Sequence, residues 1–121
     1  MKKLVFVFAF AFLLHSSTSF SARTIDVHEV SEILDVTRLD MELEQMVSKV
    51  RQCAAVGLAS ASDCYCHYPA RLDAVRQAYD RLAEKYPNWM DRSIRWWNEG
   101  SDFSSNLYLR GIRQRLSQPC S

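Results

Sequence analysis

Four consecutive residues, Cys64-Tyr65-Cys66-His67, carry the side chains best suited to chemistry. Two thiolates and an imidazole within four residues are soft ligands of the kind that bind Cu(I) or Zn. The spacing differs from the haem-attachment and thioredoxin-type motifs, in which two residues separate the cysteines. A periplasmic metal-handling role for this segment is one of the two functions that the sequence leaves open.

The same two cysteines have a simpler use, because the chain holds four cysteines and the other two are Cys53 and Cys120. An even number of cysteines in a short exported chain predicts a disulfide framework. A bond between Cys64 and Cys66 would close a very tight, strained ring. Each of the two remaining pairings closes one short loop and one long loop, so loop entropy does not choose between them. Of these, we favour Cys53–Cys64 with Cys66–Cys120.

The N-terminal end of the sequence predicts export. Lys2 and Lys3 precede an unbroken apolar run at positions 4–14, and small polar residues follow up to Ser21. A basic start, an apolar run and a small-residue exit are the three parts of a secretory signal peptide. We predict residues 1–21 as a signal peptide that is cut after Ser21, and a location in the periplasm or outside the cell. No second apolar run approaches the ~20 residues of a membrane-spanning helix, so we expect no membrane span after cleavage.

The mature chain, residues 22–121, has the size of one domain. It keeps 13 basic and 14 acidic residues, and a net charge near zero gives it no general affinity for nucleic acid. It contains no nucleophile elbow, phosphate-binding loop, HExxH motif or calcium loop, so we expect no enzymatic activity and no cofactor. Its two histidines, His28 and His67, are predicted to be a solvated residue and a loop residue.

Apolar side chains recur at helical spacing through much of the mature chain. Residues 25–36 are predicted as a short helix. A capping box formed by Thr37 and Asp40 is predicted to start a second, amphipathic helix that ends near Gly57. The following residues, 58–67, are small, polar and rich in cysteine, and they are predicted as a loop.

A third helix is predicted over residues 68–86, with Pro69 in its first turn and Pro87 directly after its end. A last helix is predicted over residues 107–116, although Gly111 inside it weakens the helical pattern. Each of these segments has apolar side chains along one side.

The predicted fold class is all-α, a small helical bundle stapled by two disulfides in one domain. Residues 88–98 fit a short helix or a strand equally well. The alternative is therefore a mainly α fold with a short C-terminal β-hairpin, in which residues 93–97 pair with residues 106–109.

Three tryptophans and two arginines fall within nine residues: Trp89, Arg92, Arg95, Trp96 and Trp97. Tryptophan and arginine are the residues that most often anchor protein interfaces. We therefore take these five as candidate partner-binding residues. The alternative is that all three tryptophans complete a small core.

Charge is unevenly distributed along the mature chain. Residues 22–50 hold seven acidic and three basic side chains, whereas residues 92–121 hold five basic and two acidic ones. Either the two segments face each other in the fold, or the basic segment and its tryptophans form a patch for an acidic partner.

The stretch from Val30 to Thr37 and on through Met46 and Val47 resembles a helical segment of uncharacterised exported proteobacterial proteins. Residues 64–120 are similar to small periplasmic domains with four cysteines. The resemblance implies a bacterial source and supplies no catalytic residues. With the predicted export and the absence of catalytic motifs, we expect an envelope protein that binds another protein, as an inhibitor, an immunity protein, a secretion accessory or an assembly factor.

Overall fold

The first half of the domain is built on one long helix. The computed structural model describes residues 24–98 and 100–120, and the predicted signal peptide lies outside them. Strand β1, Thr24–Val27, leads into helix α1, Val30–Ala55. The prediction of two separate helices, the first over residues 25–36, is therefore wrong.

Thr37 explains why the two predicted helices are one. Its hydroxyl donates to the backbone carbonyl oxygen of Ile33 at 2.8 Å and approaches that of Leu34 at 3.1 Å. A threonine that bonds back to the preceding turn continues a helix and does not cap a new one. The expected capping box with Asp40 is therefore not formed. The buried stripe of α1 continues past this point through Val36, Leu39, Met46, Val50 and Cys53.

Gly57 ends α1, as predicted. Its φ is +71°, the left-handed conformation that glycine adopts without steric penalty. The N–H of Gly57 donates to the carbonyl of Ala54 at 3.1 Å, and the N–H of Leu58 donates to that of Cys53 at 3.2 Å. This bond pair is the Schellman motif, which satisfies the last carbonyl groups of a helix.

The predicted loop over residues 58–67 contains regular structure. A short helix, α2, spans Ala61–Cys64, and a 3-10 turn follows at Tyr65–His67. The Ser60 hydroxyl accepts from the backbone N–H of Asp63 at 3.3 Å and donates to its carboxylate at 2.9 Å. Small polar residues that indicated a loop therefore act here as a helix cap.

The third predicted helix is confirmed as α3, Pro69–Lys85, followed by a 3-10 turn at Pro87–Trp89. The last helix, α4, occupies Leu109–Leu116, within the predicted residues 107–116. Among the described residues, none of the helices has the length and apolar character needed to cross a membrane.

A three-stranded sheet replaces part of the predicted bundle. Strand β2, Ser93–Trp97, lies between β1 and β3, Ser104–Tyr108. β1 is parallel to β2, and β3 is antiparallel to it. The all-α prediction is wrong in this respect, and the mainly α alternative with a C-terminal hairpin fits better. The hairpin begins its second strand two residues earlier than the predicted residue 106, and β1 adds a strand that was not predicted.

The two disulfides have the favoured pairing. Cys53 bonds Cys64, with both side chains buried, and joins α1 to α2. Cys66 bonds the exposed Cys120 and fastens the C-terminal tail to the 3-10 turn. Cysteine pairs at disulfide distance indicate an oxidising, non-cytoplasmic environment. Buried side chains of α1, α3, α4 and the inner face of the sheet form one core around Trp96.

Candidate partner-binding face

One face of the sheet packs on the helices and the other faces solvent. Along β2 the side chains of Ile94 and Trp96 are buried, whereas Arg95 is half-buried and Trp97 is exposed. This alternation follows from the two-residue period of a strand. The outward side chains of the three strands, with the residue after β1, form a surface that we name the open sheet face: Thr24, Asp26, His28, Ser93, Arg95, Trp97, Ser104, Asn106 and Tyr108.

Arg95 occupies the centre of the open sheet face, opposite Asp26 on β1 and Asn106 on β3. Its Nε donates to Asp26 Oδ1 at 2.7 Å, and its Nη2 donates to Oδ2 at 3.0 Å. Two such bonds form a bidentate pair, which fixes the guanidinium in one plane. The hydrogen bond from Arg95 holds the pKa of the Asp26 carboxyl below its ordinary value. The same bond raises the pKa of Arg95.

Trp97 is the exposed aromatic residue at the end of β2, with 38 % of its surface accessible. The guanidinium carbon of Arg95 lies 5.1 Å from the centre of the indole ring, within the range of a cation–π contact. The imidazole of His28 is parallel to the same ring within 3°, with the ring centres 6.1 Å apart. The indole of Trp97 therefore has a guanidinium and an imidazole as neighbours.

Trp89 and Trp96, also predicted for partner binding, lie in the core. Trp96 is 1 % exposed and points inward from β2. The Trp89 ring stacks on Tyr86, with ring centres 3.9 Å apart. The Tyr86 hydroxyl in turn donates to Asp35 on α1 at 2.7 Å. Both tryptophans are therefore core residues, which for these two agrees with the alternative that the tryptophans complete a small core.

Arg92, the remaining predicted residue, has an exposed side chain at the corner before β2. Its backbone N–H donates to the carbonyl of Trp89 at 2.9 Å, and its carbonyl accepts from the N–H of Leu109 at 3.3 Å. The corner thereby joins the end of β3 to the turn after α3. Of the predicted residues, Arg95 and Trp97 therefore belong to the open sheet face, and Arg92 directly precedes β2.

The acidic N-terminal segment is partly neutralised by bases from later elements. Three of its carboxylates form ion pairs of this kind, on β1 and α1: Asp26 with Arg95, Asp35 with Lys85, and Glu42 with Arg71. The two unevenly charged segments therefore do face each other at β1 and β2. Because the central cation of the open sheet face is already paired, net positive charge is not the main property of this surface.

The segment from Cys64 to His67 borders a surface cavity of about 660 Å³, lined in part by Cys66 and His67. The sulfur of Cys66 is bonded to Cys120, and that of Cys64 to Cys53, so neither is a thiolate. Among the described residues no three His, Cys, Asp or Glu side chains are placed to hold a metal ion. The metal-handling alternative therefore requires reduced cysteines.

Of the open sheet face only Arg95 and Trp97 were predicted, and the other seven residues were not: Thr24, Asp26, His28, Ser93, Ser104, Asn106 and Tyr108. For Asp26 the available signal is the polar–apolar alternation of residues 24–27. This stretch is too short to distinguish a strand from a helical turn. Nothing in the sequence indicates that residues 24–27 pair with a strand whose partner residues lie 69 positions further along.

The open sheet face offers an indole, a guanidinium, an imidazole and an amide, which bind by stacking and hydrogen bonding. No family model, curated protein or solved structure matches this chain. Its function is therefore inferred from its own geometry.

Proposed function

We propose that this protein is exported to the bacterial envelope, where it binds another protein through the open sheet face. The predicted signal peptide and the two disulfides support export, since disulfides form in oxidising compartments. One observation carries the binding role. Trp97 is exposed and yet has Arg95 and His28 as neighbours of its ring.

The hairpin carries exposed aromatic side chains at both of its ends. Tyr108 on β3 is 52 % exposed, and Phe103 in the connecting loop is 81 % exposed. Single exposed apolar residues are normal on a protein surface, but several on one hairpin favour an interaction site. A tryptophan whose ring already lies beside two neighbours loses less conformational entropy when a partner covers it.

The polar groups around Trp97 supply direction to the same site. The guanidinium of Arg95 has five N–H donors, and its pair with Asp26 uses two of them. The others are available to carbonyl or carboxylate oxygens of a partner. The Asn106 amide lies in the adjacent strand position and both donates and accepts. Inhibitor, immunity, secretion-accessory and assembly-factor roles all use a face of this kind.

A pull-down from envelope extract tests the proposal. The tagged wild type is compared with an Arg95→Ala/Trp97→Ala double variant and with Leu58→Ala. Leu58 is 68 % exposed at the far end of α1 and serves as the control for loss of an exposed apolar side chain. We expect the double variant to lose a partner that the control retains. Equal recovery with all three proteins, each verified as folded by circular dichroism, would contradict the proposal.

A further inference from the structure

β3 is an edge strand of the sheet formed by the described residues, and its outer backbone groups are free of backbone partners there. Arg95 lies opposite Asn106 in the antiparallel ladder. The N–H of Leu109 donates to the carbonyl of Arg92, so that pair is a hydrogen-bonded one. Bonded and non-bonded pairs alternate along such a ladder. Leu107 therefore bonds toward β2, and Asn106 directs its N–H and C=O away from the sheet.

A groove lies beside this edge, between β3 and α1, with an apolar first part and a second part lined mainly by polar side chains of α1. Its first part has a volume of about 330 Å³ and continues along α1 into a second hollow of about 650 Å³. Leu43, Leu107 and Val47 line both parts. The lining residues of α1 extend from Asp40 to Gln52, about 18 Å along the helix axis. This length matches about five residues of extended chain, the length of β3 itself.

The ring of Tyr108 lies on α4 next to this groove. A Cβ atom at Gly111 would come within 2.9 Å of Tyr108 Cδ1, so only glycine permits this close approach without a shift. A glycine inside a helix costs about 1 kcal/mol relative to alanine. Here it gives the tyrosine ring a place against α4, where the ring forms part of the groove wall.

Two carboxylates on α1, those of Asp40 and Glu44, border the groove one helical turn apart. Neither belongs to an ion pair within the described residues. Burial, with a contribution from Glu44, raises the pKa of the Asp40 carboxyl. Two bases also line the groove: Arg51 lies two turns beyond Glu44 in the second part, and Arg115 lies over the Tyr65 ring at 4.5 Å in the first part. The two carboxylates lie at one end of the second part and Arg51 near the other, so the end at Asp40 and Glu44 is negatively charged and a cation from outside would complement it.

We propose that an extended segment of the partner protein adds to β3 as a fourth strand. Its alternate apolar side chains enter the groove, and a lysine or arginine lies beside Asp40 and Glu44. In this mode the backbone of Asn106 supplies hydrogen bonds, and the groove supplies sequence preference. The inference rests on the proposed function, since it names the form in which the partner is held. The added strand also extends the open sheet face alongside Asn106.

Other occupants fit these observations less well. A docked helix satisfies its own backbone and would leave the N–H and C=O of Asn106 unpaired. An anionic membrane surface would be repelled by Asp40 and Glu44. An added strand uses the free edge, the groove and the carboxylates together.

Amide hydrogen exchange followed by NMR on the oxidised mature protein tests strand addition. In the free protein, the Asn106 amide should exchange fast and the Leu107 amide slowly, because only the latter bonds across to β2. The probe is the tightest binder from an array of ten-residue peptides that alternate apolar and polar residues and carry one lysine. We expect this peptide to slow exchange at Asn106 at least tenfold.

Three results would overturn the proposal. The first is that no peptide of the array binds, and the second is binding without protection of the Asn106 amide. The third is protection of that amide in a peptide-free dimer, which would assign the edge to a second copy of the chain.

Matched variants test the two halves of the proposal. Asn106→Pro removes the outward N–H, a change that an edge strand tolerates, whereas Asn106→Ala keeps it. We expect peptide affinity to fall at least tenfold in the first and less than threefold in the second. Asp40→Asn/Glu44→Gln should abolish the preference for lysine over glutamate peptides, and Asp80→Asn/Glu84→Gln on the exposed side of α3 should preserve it. Equal effects within either comparison would count against strand addition.

The outcome is separable from that of the proposed function. If Arg95→Ala/Trp97→Ala loses the cellular partner and Asn106→Pro retains it, the binding face stands and strand addition fails. If neither variant affects recovery, both proposals fail.

Discussion

Asp26 and Arg95 are joined by two hydrogen bonds, of 2.7 and 3.0 Å, although 69 residues separate them in sequence. The pair holds β1 against β2 and fixes the guanidinium that contacts Trp97 at 5.1 Å. One ion pair therefore both closes the sheet and arranges the aromatic residue on which the proposed function depends.

Partner binding should depend on Asp26 and Arg95 as a unit. Arg95→Ala is expected to weaken binding by about tenfold, as for an interface anchor. Asp26→Ala should weaken it less, by releasing the guanidinium. The double variant should bind no more weakly than Arg95→Ala, because the two side chains act together. Titration of the wild type, the two single variants and the double variant with the partner measures this coupling. If the losses of binding free energy in the single variants add up in the double variant, Asp26 does not act through Arg95.

The tryptophans of β2 should differ sharply in their effect on stability. Trp96→Ala removes a side chain that is 1 % exposed and should lower the free energy of unfolding by about 3–5 kcal/mol. Trp97→Ala removes a side chain on the open sheet face and should lower it by less than about 1 kcal/mol. Urea denaturation of both variants measures the difference. Similar losses would mean that Trp97 is a core residue.

The contrast between these neighbours shows where the sequence is informative and where it is not. The sequence shows the cluster of tryptophans and leaves two roles open for it, partner binding and completion of the core. Which side chain is buried depends on the period of the backbone: in a helix Trp89 and Trp96 share a face, whereas in the strand Trp96 and Trp97 point to opposite sides. The sequence of residues 88–98 does not choose between these periods.

Asp35 should make the fold sensitive to acid. Hydrogen bonds from Lys85 and Tyr86 hold the pKa of its carboxyl below the ordinary value of 3.8. Because the folded-state pKa is the lower one, this stabilisation is fully present at neutral pH and is lost as the pH falls through the folded-state pKa.

Asp35→Asn should therefore lower the free energy of unfolding by about 1 kcal/mol at pH 7, allowing for solvent screening. The difference in free energy of unfolding between wild type and variant should become smaller once the pH falls below 3.8. Urea denaturation at a series of pH values from 7 to below 3.8 measures this difference, and Asp80→Asn at an exposed position is the control. A difference that is constant with pH would contradict the assignment.

The disulfides should open in a fixed order. Cys53 and Cys64 are 1 % and 0 % exposed, whereas Cys120 is exposed at the end of the tail. Thiolate reductants need access to a sulfur atom, so graded dithiothreitol should open Cys66–Cys120 first. Alkylation and peptide mass spectrometry identify the free thiols at each step. Simultaneous opening would indicate that the whole domain unfolds before either bond is reduced.

Both bonds should contribute to stability through the loops that they close. Their sequence separations of 11 and 54 correspond to about 3 and 4 kcal/mol in the loop-entropy account. A domain of this size has a net stability of about 5–15 kcal/mol. Full reduction should therefore lower the melting temperature by well over ten degrees. A shift of a few degrees in a thermal melt would show that packing alone maintains the fold.

Local signals carried most of what was predicted correctly. α3 begins at Pro69 and ends before Pro87, and Gly57 ends α1. The strain of the tightest ring disfavours one of the three cysteine pairings, whereas no local signal chooses between the other two. Parallel pairing of β1 with β2 is nonlocal and leaves no sequence signature, so the N-terminal half of the open sheet face was missed. The division of α1 at Thr37 failed because the residues of a capping box also occur inside a helix.

Site-specific photo-crosslinking in intact cells tests whether a partner protein contacts Trp97 on the open sheet face. A benzophenone amino acid replaces Trp97 in one version of the chain and Leu58 in another, since both side chains are exposed and lie on different elements. We expect a discrete crosslinked band from position 97 that has the same mass in every preparation. Position 58 should give no band of that mass. Absence of a discrete band at position 97, or the same band from both positions, would contradict a binding role for the open sheet face.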